Sequence, residues 1–243
     1  MTDGRALELL PEHTFKRVLA VVAHPDDMEY GMSAAVHRWT SNGVEVAYLL
    51  LTTGEAGMQA PPAEVGPLRA AEQRQACTEV GVDRLVILAH PDGTLLPTLE
   101  LRRDIAREIR AFRPDVVLTG SWEVEAPWGL NQADHRAAGL ATLDACRDAD
   151  NTWVFPELAR DEGLSKWGAT WLLVGGDSRP THGVPVSDAD VAAAVASLAS
   201  HQAYLADLPD HPRPEDFIPP MLHEQGRALG VSAGVLFRAH RLR

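Results

Sequence analysis

The chain has 243 residues, 45% hydrophobic and 23% charged, a globular composition with length enough to bury a core. Its formal net charge of −12, with no Lys/Arg cluster, argues against nucleic acid or an anionic membrane as a partner. No apolar run approaches the roughly 20 residues that span a bilayer. The 2 cysteines, Cys77 and Cys146, form no CxxC pair and read as buried free thiols. The opening MTDGRALELLPEHTFKR lacks the basic, apolar and small-residue order of a secretory leader, so a soluble cytoplasmic protein is expected.

Val18–Ala23 is a continuous β-branched and aliphatic run, the pattern of a strand buried on both faces. A helix is predicted from Ser33 to Asn42, with Gly43 closing it. Glu45–Thr53 reads as a second strand, and GEAGMQAPPAEVGP after it as a loop. Leu68–Val80 resumes helical spacing, Arg84–Leu88 is a strand, and Leu99–Phe112 is a helix stopped before Pro114. Asp115–Thr119 is a further strand, followed by the irregular, Trp- and Gly-rich GSWEVEAPWGLNQA. A helix over Asp134–Arg147, a strand over Ala169–Val174 and a long Ala-rich helix over Ser187–Leu205 come next. The Pro-rich LPDHPRPEDFIPP then marks off residues 208–243 as a C-terminal extension packed on a single domain covering 1–243. Alternating strands and helices imply an α/β, Rossmann-like fold, a mostly parallel sheet flanked by helices.

Open sheets of this kind place ligands at the carboxyl ends of their strands. Two AHPD tetrads fall there, and the first, AHPDD, carries a second carboxylate. His24 and Asp27 are three residues apart across a turn, so both can face one ion. Imidazole nitrogen and carboxylate oxygen are ordinary Zn²⁺ ligands, and a catalytic zinc takes three of them and keeps an open position. Asp26 is then left free to act as a base. His135, beyond another strand, is the best third ligand, with Asp134 beside it to orient a ligand histidine from behind. The same Asp-Asp pair also suits a plain turn and helix cap. No Walker loop, strand-linked GxGxxG or G-x-S-x-G elbow occurs. Trp122 and Trp128, on either side of Pro127, read as core packing or as a floor for an apolar or sugar substrate.

VVAHPDDMEYG resembles the signature of the PIG-L-type, or LmbE-like, zinc N-deacetylases. LLLTTGEAG, LRAAEQRQACTEVGV, LAHPDGTLL, IRAFRPDVVLTG and NQADHRAAG resemble further family blocks in the same order. The resemblance implies Zn²⁺ on His24, Asp27 and His135, with Asp26 as general base. It also implies Arg69 and Asp92 as holders of the substrate. The reaction it implies removes an N-acetyl or other N-acyl group from an amino sugar or sugar-bearing small metabolite. A homo-oligomer is compatible with the sequence.

The pattern breaks at Gln132, where the family has the histidine that protonates the departing amine. A glutamine amide can donate to an oxyanion but is no acid at neutral pH. Three readings stay open. Asp26 returns its proton, a histidine from elsewhere (His182 or His201) fills in, or the metal site persists with activity lost or moved to another bond such as an ester.

Overall fold

The computed structural model describes residues 7–243, so the first six residues of the segment read as lacking a leader lie outside it. β1 (Glu8–Leu9) is an edge strand, and β2 (Arg17–Val22) an interior one, paired on both sides. Val18, Ala20 and Val22 face one side of the sheet, Leu19 and Val21 the other, and none exceeds 3% exposure. A strand apolar on both faces has to be covered twice, which calls for a helix layer on each side.

Next in chain order are α1 (Ser33–Ser41), β3 (Glu45–Leu50), α2 (Pro62–Glu79), β4 (Arg84–Ile87), α3 (Leu99–Phe112) and β5 (Val116–Gly120). A hairpin of β6 (Glu125–Ala126) and β7 (Gly129–Leu130) leads into α4 (Ala133–Ala149) and α5 (Pro156–Arg160). β8 (Trp171–Gly175), β9 (His182–Pro185), α6 (Asp188–Ala199), α7 (Gln202–Asp207), α8 (Pro214–Leu229) and β10 (Gly234–Arg241) complete the order. The sheet runs β1-β9-β10-β8-β5-β2-β3-β4. β2, β3, β4, β5 and β8 are mutually parallel, while β10 is antiparallel to both its neighbours. Trp39 of α1, Cys77 of α2, Leu198 of α6 and Leu222 of α8 pack on one face, Ile105 of α3 and Ala141 of α4 on the other. The expected α/β sheet is therefore present. No helix among the described residues is long and apolar enough to cross a membrane.

Several sequence expectations need correction. α2 begins at Pro62, inside the stretch read as loop, because a proline at the first helical position has no hydrogen bond to lose. The single helix over Ser187–Leu205 is two, broken where His201 turns wholly into the core. Ser187 and Asp190 close its start with a capping box. Residues 208–243 do not lie on the outside, since β10 is inserted into the sheet between β8 and β9. Proline at the start of α8 again reads as a boundary where it opens a helix. Trp122 packs against the core as expected, but Trp128 is 63% exposed. Cys77 and Cys146 are buried and unpaired.

α4 matters most to the site because it carries residues that face the strand ends. It lies so close to β5 that a Cβ on Gly139 would come 2.8 Å from the Gly120 carbonyl oxygen. Helix propensity alone favours Ala over Gly by about 1 kcal/mol. The contact with backbone should outweigh that, since overpacking costs about 1–3 kcal/mol. Gly139→Ala is therefore expected to lower stability by about 1–2 kcal/mol in denaturant titration, and a stabilised variant would refute this account of the α4–β5 approach.

Candidate active site

The chain turns sharply where β2 ends. The backbone N–H of His24 donates to Asp27 Oδ2 at 2.9 Å, closing the turn. Between them Asp26 has φ +88°, a left-handed conformation that Asp adopts more readily than most residues. Its N–H donates to Gln73 Oε1 of α2 at 3.0 Å. This backbone sends the two neighbouring carboxylates apart. Asp27 Oδ1 lies 3.6 Å from His24 Nδ1 and 3.0 Å from His135 Nε2. Asp26 Oδ2 accepts instead from Arg69 at 2.9 Å.

His24, Asp27 and His135 each offer a donor atom within 4.8 Å of the others. Two imidazoles and a carboxylate, converging and largely out of water, are a chemically fitting set for a divalent ion such as zinc. Both rings are held from behind. His24 Nε2 sits 2.9 Å from Asp92 Oδ1 and 3.5 Å from Asp134 Oδ2, leaving Nδ1 toward Asp27. Asp134 is fixed by the N–H groups of Gly93 and Leu95, and Asp92 by that of Ala56. Asp134 thus orients His24, not the adjacent His135 as expected from sequence. Successive helical residues point about 100° apart, so the carboxylate and imidazole side by side in sequence face different neighbours. His135 Nδ1 pairs instead with Asn131 Oδ1 at 3.2 Å, one helical turn earlier.

The charges are strongly coupled. Burial alone would lower the pKa of His24, but Asp27 and hydrogen bonding to Asp134, Asp27 and Asp92 push it up to about 12. Burial raises the Asp26 carboxyl to about 6, against the pull of Arg69 and with the push of Asp27. Burial would raise Asp27 too, yet His135 and His24 hold it well below the usual carboxylate range.

Arg69, 2% exposed, reaches from α2 to donate to the carbonyls of Gly54 and Pro25 as well as to Asp26. Its guanidinium carbon lies 4.0 Å from the Tyr204 ring centroid. Gly54 has φ +65°, and a Cβ there would run into that guanidinium, so only glycine fits. Gln132 N-caps α4 without using its side chain as a cap, and it lines the cleft. So do His24, Asp26, Asp27, Arg69, Asp92 and His135, which brings seven of the expected residues together.

His182 and His201 are not brought to the cleft. His182 lies in β9 rather than in a loop, its ring against Trp171 and its Nδ1 on Thr181. That corrects its reading as a stand-in acid. His201 is wholly buried, 3.7 Å from Glu29. His90, of the second AHPD, pairs with Asp104 at 3.1 Å. Tyr30, Gly57 and Tyr204 line the cleft unforeseen. Tyr30 stands three residues after Asp27, but a tyrosine there has no spacing rule to mark it.

Comparison with known proteins decides the ancestry. The family described as PIG-L, GlcNAc-PI de-N-acetylase, matches residues 19–146, more than half of the chain. The chain belongs to the PIG-L family. Among curated relatives, a diacetylchitobiose deacetylase of Thermococcus kodakarensis is 32% identical over 140 residues, covering 56% of this chain and 51% of that protein. A 1D-myo-inositol 2-acetamido-2-deoxy-alpha-D-glucopyranoside deacetylase of Kineococcus radiotolerans is 30% identical across 81% of this chain and 68% of its own length. The match thus spans about half of the first relative and two thirds of the second. The solved N,N'-diacetylchitobiose deacetylase of Pyrococcus horikoshii superposes with a TM-score of 0.83 at 23% identity, over 95% of this chain and 86% of that one. The same PIG-L fold is shared with GalB, a 4-carboxy-2-hydroxymuconate hydratase from Pseudomonas putida, at a TM-score of 0.71 and 17% identity, over 94% of this chain and 97% of that one.

The electrostatics of this PIG-L site make a calorimetric prediction. A histidine with its pKa raised to about 12 is protonated at pH 7, and it must lose that proton to bind a metal. Zn²⁺ binding to the metal-free protein at pH 7 should therefore release at least one proton. Titrations in two buffers of different ionisation enthalpy measure it, and equal heats in both would contradict the charged His24.

Proposed function

We propose that this chain is a metal-dependent N-deacetylase, an amide hydrolase that removes an acetyl or related acyl group from the nitrogen of an amino sugar or sugar-bearing small metabolite. The observation carrying this reading is the convergence of His24, Asp27 and His135 beside a separately held, buried Asp26 in one cleft. The amino-sugar class is supported by the activities in the names of the relatives from Thermococcus and Kineococcus. We infer Zn²⁺ as the ion, because two imidazoles and one carboxylate are a common catalytic zinc set.

A divalent ion on these residues supplies Lewis acidity toward the acyl carbonyl and makes nearby water easier to deprotonate. Asp26 takes the proton of the attacking water, and its carboxyl, pushed up to about 6, is a stronger base than an ordinary aspartate. Arg69 fixes Asp26 for that transfer, and Tyr204 packs beneath the guanidinium. The Gln132 amide donates to the oxygen on which negative charge develops. Asp92, expected to hold substrate, lines the cleft but spends its oxygens on His24 and the Ala56 N–H, so it acts first on His24.

The variants divide accordingly. His24→Ala and Asp27→Ala should lose both bound metal and amide hydrolysis. Asp26→Asn should keep its metal while turnover falls about 10²–10⁴-fold, the usual worth of a general base. Metal analysis alongside rates on N,N'-diacetylchitobiose separates the two classes. Undiminished turnover in Asp26→Asn would remove the base from this mechanism.

A further inference from the structure

The departing amine needs a proton, and Gln132 cannot supply it. Among the described residues lining the cleft, the imidazoles are those of His24 and His135, both members of the metal-donor set. Besides the Asp26 carboxyl once it has taken water's proton, which Arg69 holds on its own side, the cleft O–H donors are the phenols of Tyr30 and Tyr204. Tyr204 is committed to Arg69, its ring lying against the guanidinium. Tyr30 is placed differently. Its hydroxyl lies 2.8 Å from Nε2 of His211, a residue of the connection between α7 and α8. The two rings meet edge to face at 5.6 Å, and Phe217 of α8 braces Tyr30 at 6.1 Å. His211 is only partly buried, so its ring joins the cleft wall to solvent.

We propose that Tyr30 is the catalytic acid that protonates the leaving nitrogen, with His211 as the positioning residue that restores its proton. The proposal rests on the deacetylase reading. As the C–N bond of the tetrahedral adduct breaks, its electron pair stays on nitrogen. The Tyr30 O–H bond breaks in concert, its proton passes to that nitrogen, and the free amine departs. His211 gives an Nε2 proton to the phenolate and regains one from solvent. Asp26 releases to solvent the proton it took from water, so the cycle consumes one water and yields one acid and one amine. The tyrosine–histidine pair thus does from the α1 side what the family's acid histidine does from the start of α4. It also explains how a chain with glutamine at position 132 retains an acid.

The alternative is that the pair merely ties the α7–α8 connection down. Leaving-group dependence separates the two. N,N'-diacetylchitobiose has an amine that departs only when protonated, whereas the nitrophenolate of p-nitrophenyl acetate needs no proton. With the zinc-loaded full chain, the ratio of kcat on the amide to kcat on the ester is measured for wild type, Tyr30→Phe and His211→Gln. The ratio is expected to fall about 100-fold in Tyr30→Phe, the lower range for a general acid. A smaller fall in the same direction is expected in His211→Gln. An unchanged ratio in Tyr30→Phe, whether or not both rates drop, overturns the acid role and leaves the tether. A wild-type holoenzyme that cleaves the ester but not the amide overturns the deacetylase reading itself, and the acid role with it.

Discussion

Four carboxylates, those of Asp26, Asp27, Asp92 and Asp134, meet at the carboxyl edge of the sheet with side chains no more than 13% exposed. Like charges so nearly dry repel strongly, and each has to be matched by a cation or a donor. Arg69 answers Asp26, and the imidazole of His24 answers the other three. His135 adds a second contact to Asp27. The backbone contributes as well, through the N–H groups of Gly93, Leu95 and Ala56. The rest of the site depends on this balance. A divalent ion in place of protons on the histidines would keep the sum of charge and supply Lewis acidity.

That balance depends on one backbone conformation. Because Asp26 is left-handed, two adjacent carboxylates serve separate cations instead of competing for one. Gln73 holds the turn from α2 through the Asp26 N–H, and its amide in turn reaches buried Glu29 at 3.2 Å. Ser197 of α6 donates to the same Glu29 oxygen. Helices of one layer are thereby wired to Asp26, the proposed base. The fold itself leaves the reaction open, since a hydratase shares it. The chemistry lies in what the strand-end loops present.

How far the sequence is legible depends on the range of the interactions involved. β2, the end of α3 and the HPDD turn are local events, set by apolar runs, by Arg113 before Pro114 and by a three-residue spacing. All three are readable. The ligand set and Asp26 can be proposed because their chemical types announce themselves. Asp134 is misassigned because adjacency in sequence is not adjacency in space on a helix. Asn131, one turn before His135, obeys a spacing that points to it. His182 and His211 are beyond reach, because nothing local says which of two histidines in loop-like stretches joins a strand and which meets a tyrosine 181 residues away in the chain. The break at Ser200–His201 is likewise a tertiary decision, made by the burial of His201 near Glu29.

The position of β10 bears on how the molecule comes together. β9 and β1 reach the remainder of the sheet only through it, β1 being paired to β9 and β9 to β10. The parallel half, β8 to β4, closes on contacts made earlier in the sequence, and β8 presents a bare, hydrogen-bonding edge until residues 234–241 arrive. Such an edge is a template for wrong partners. Pairing across this sequence separation is slow, because loop closure must be completed before the contacts repay it. Assembly of this sheet is therefore a docking problem, in which the last strand described must find an interior slot before a neighbouring chain does.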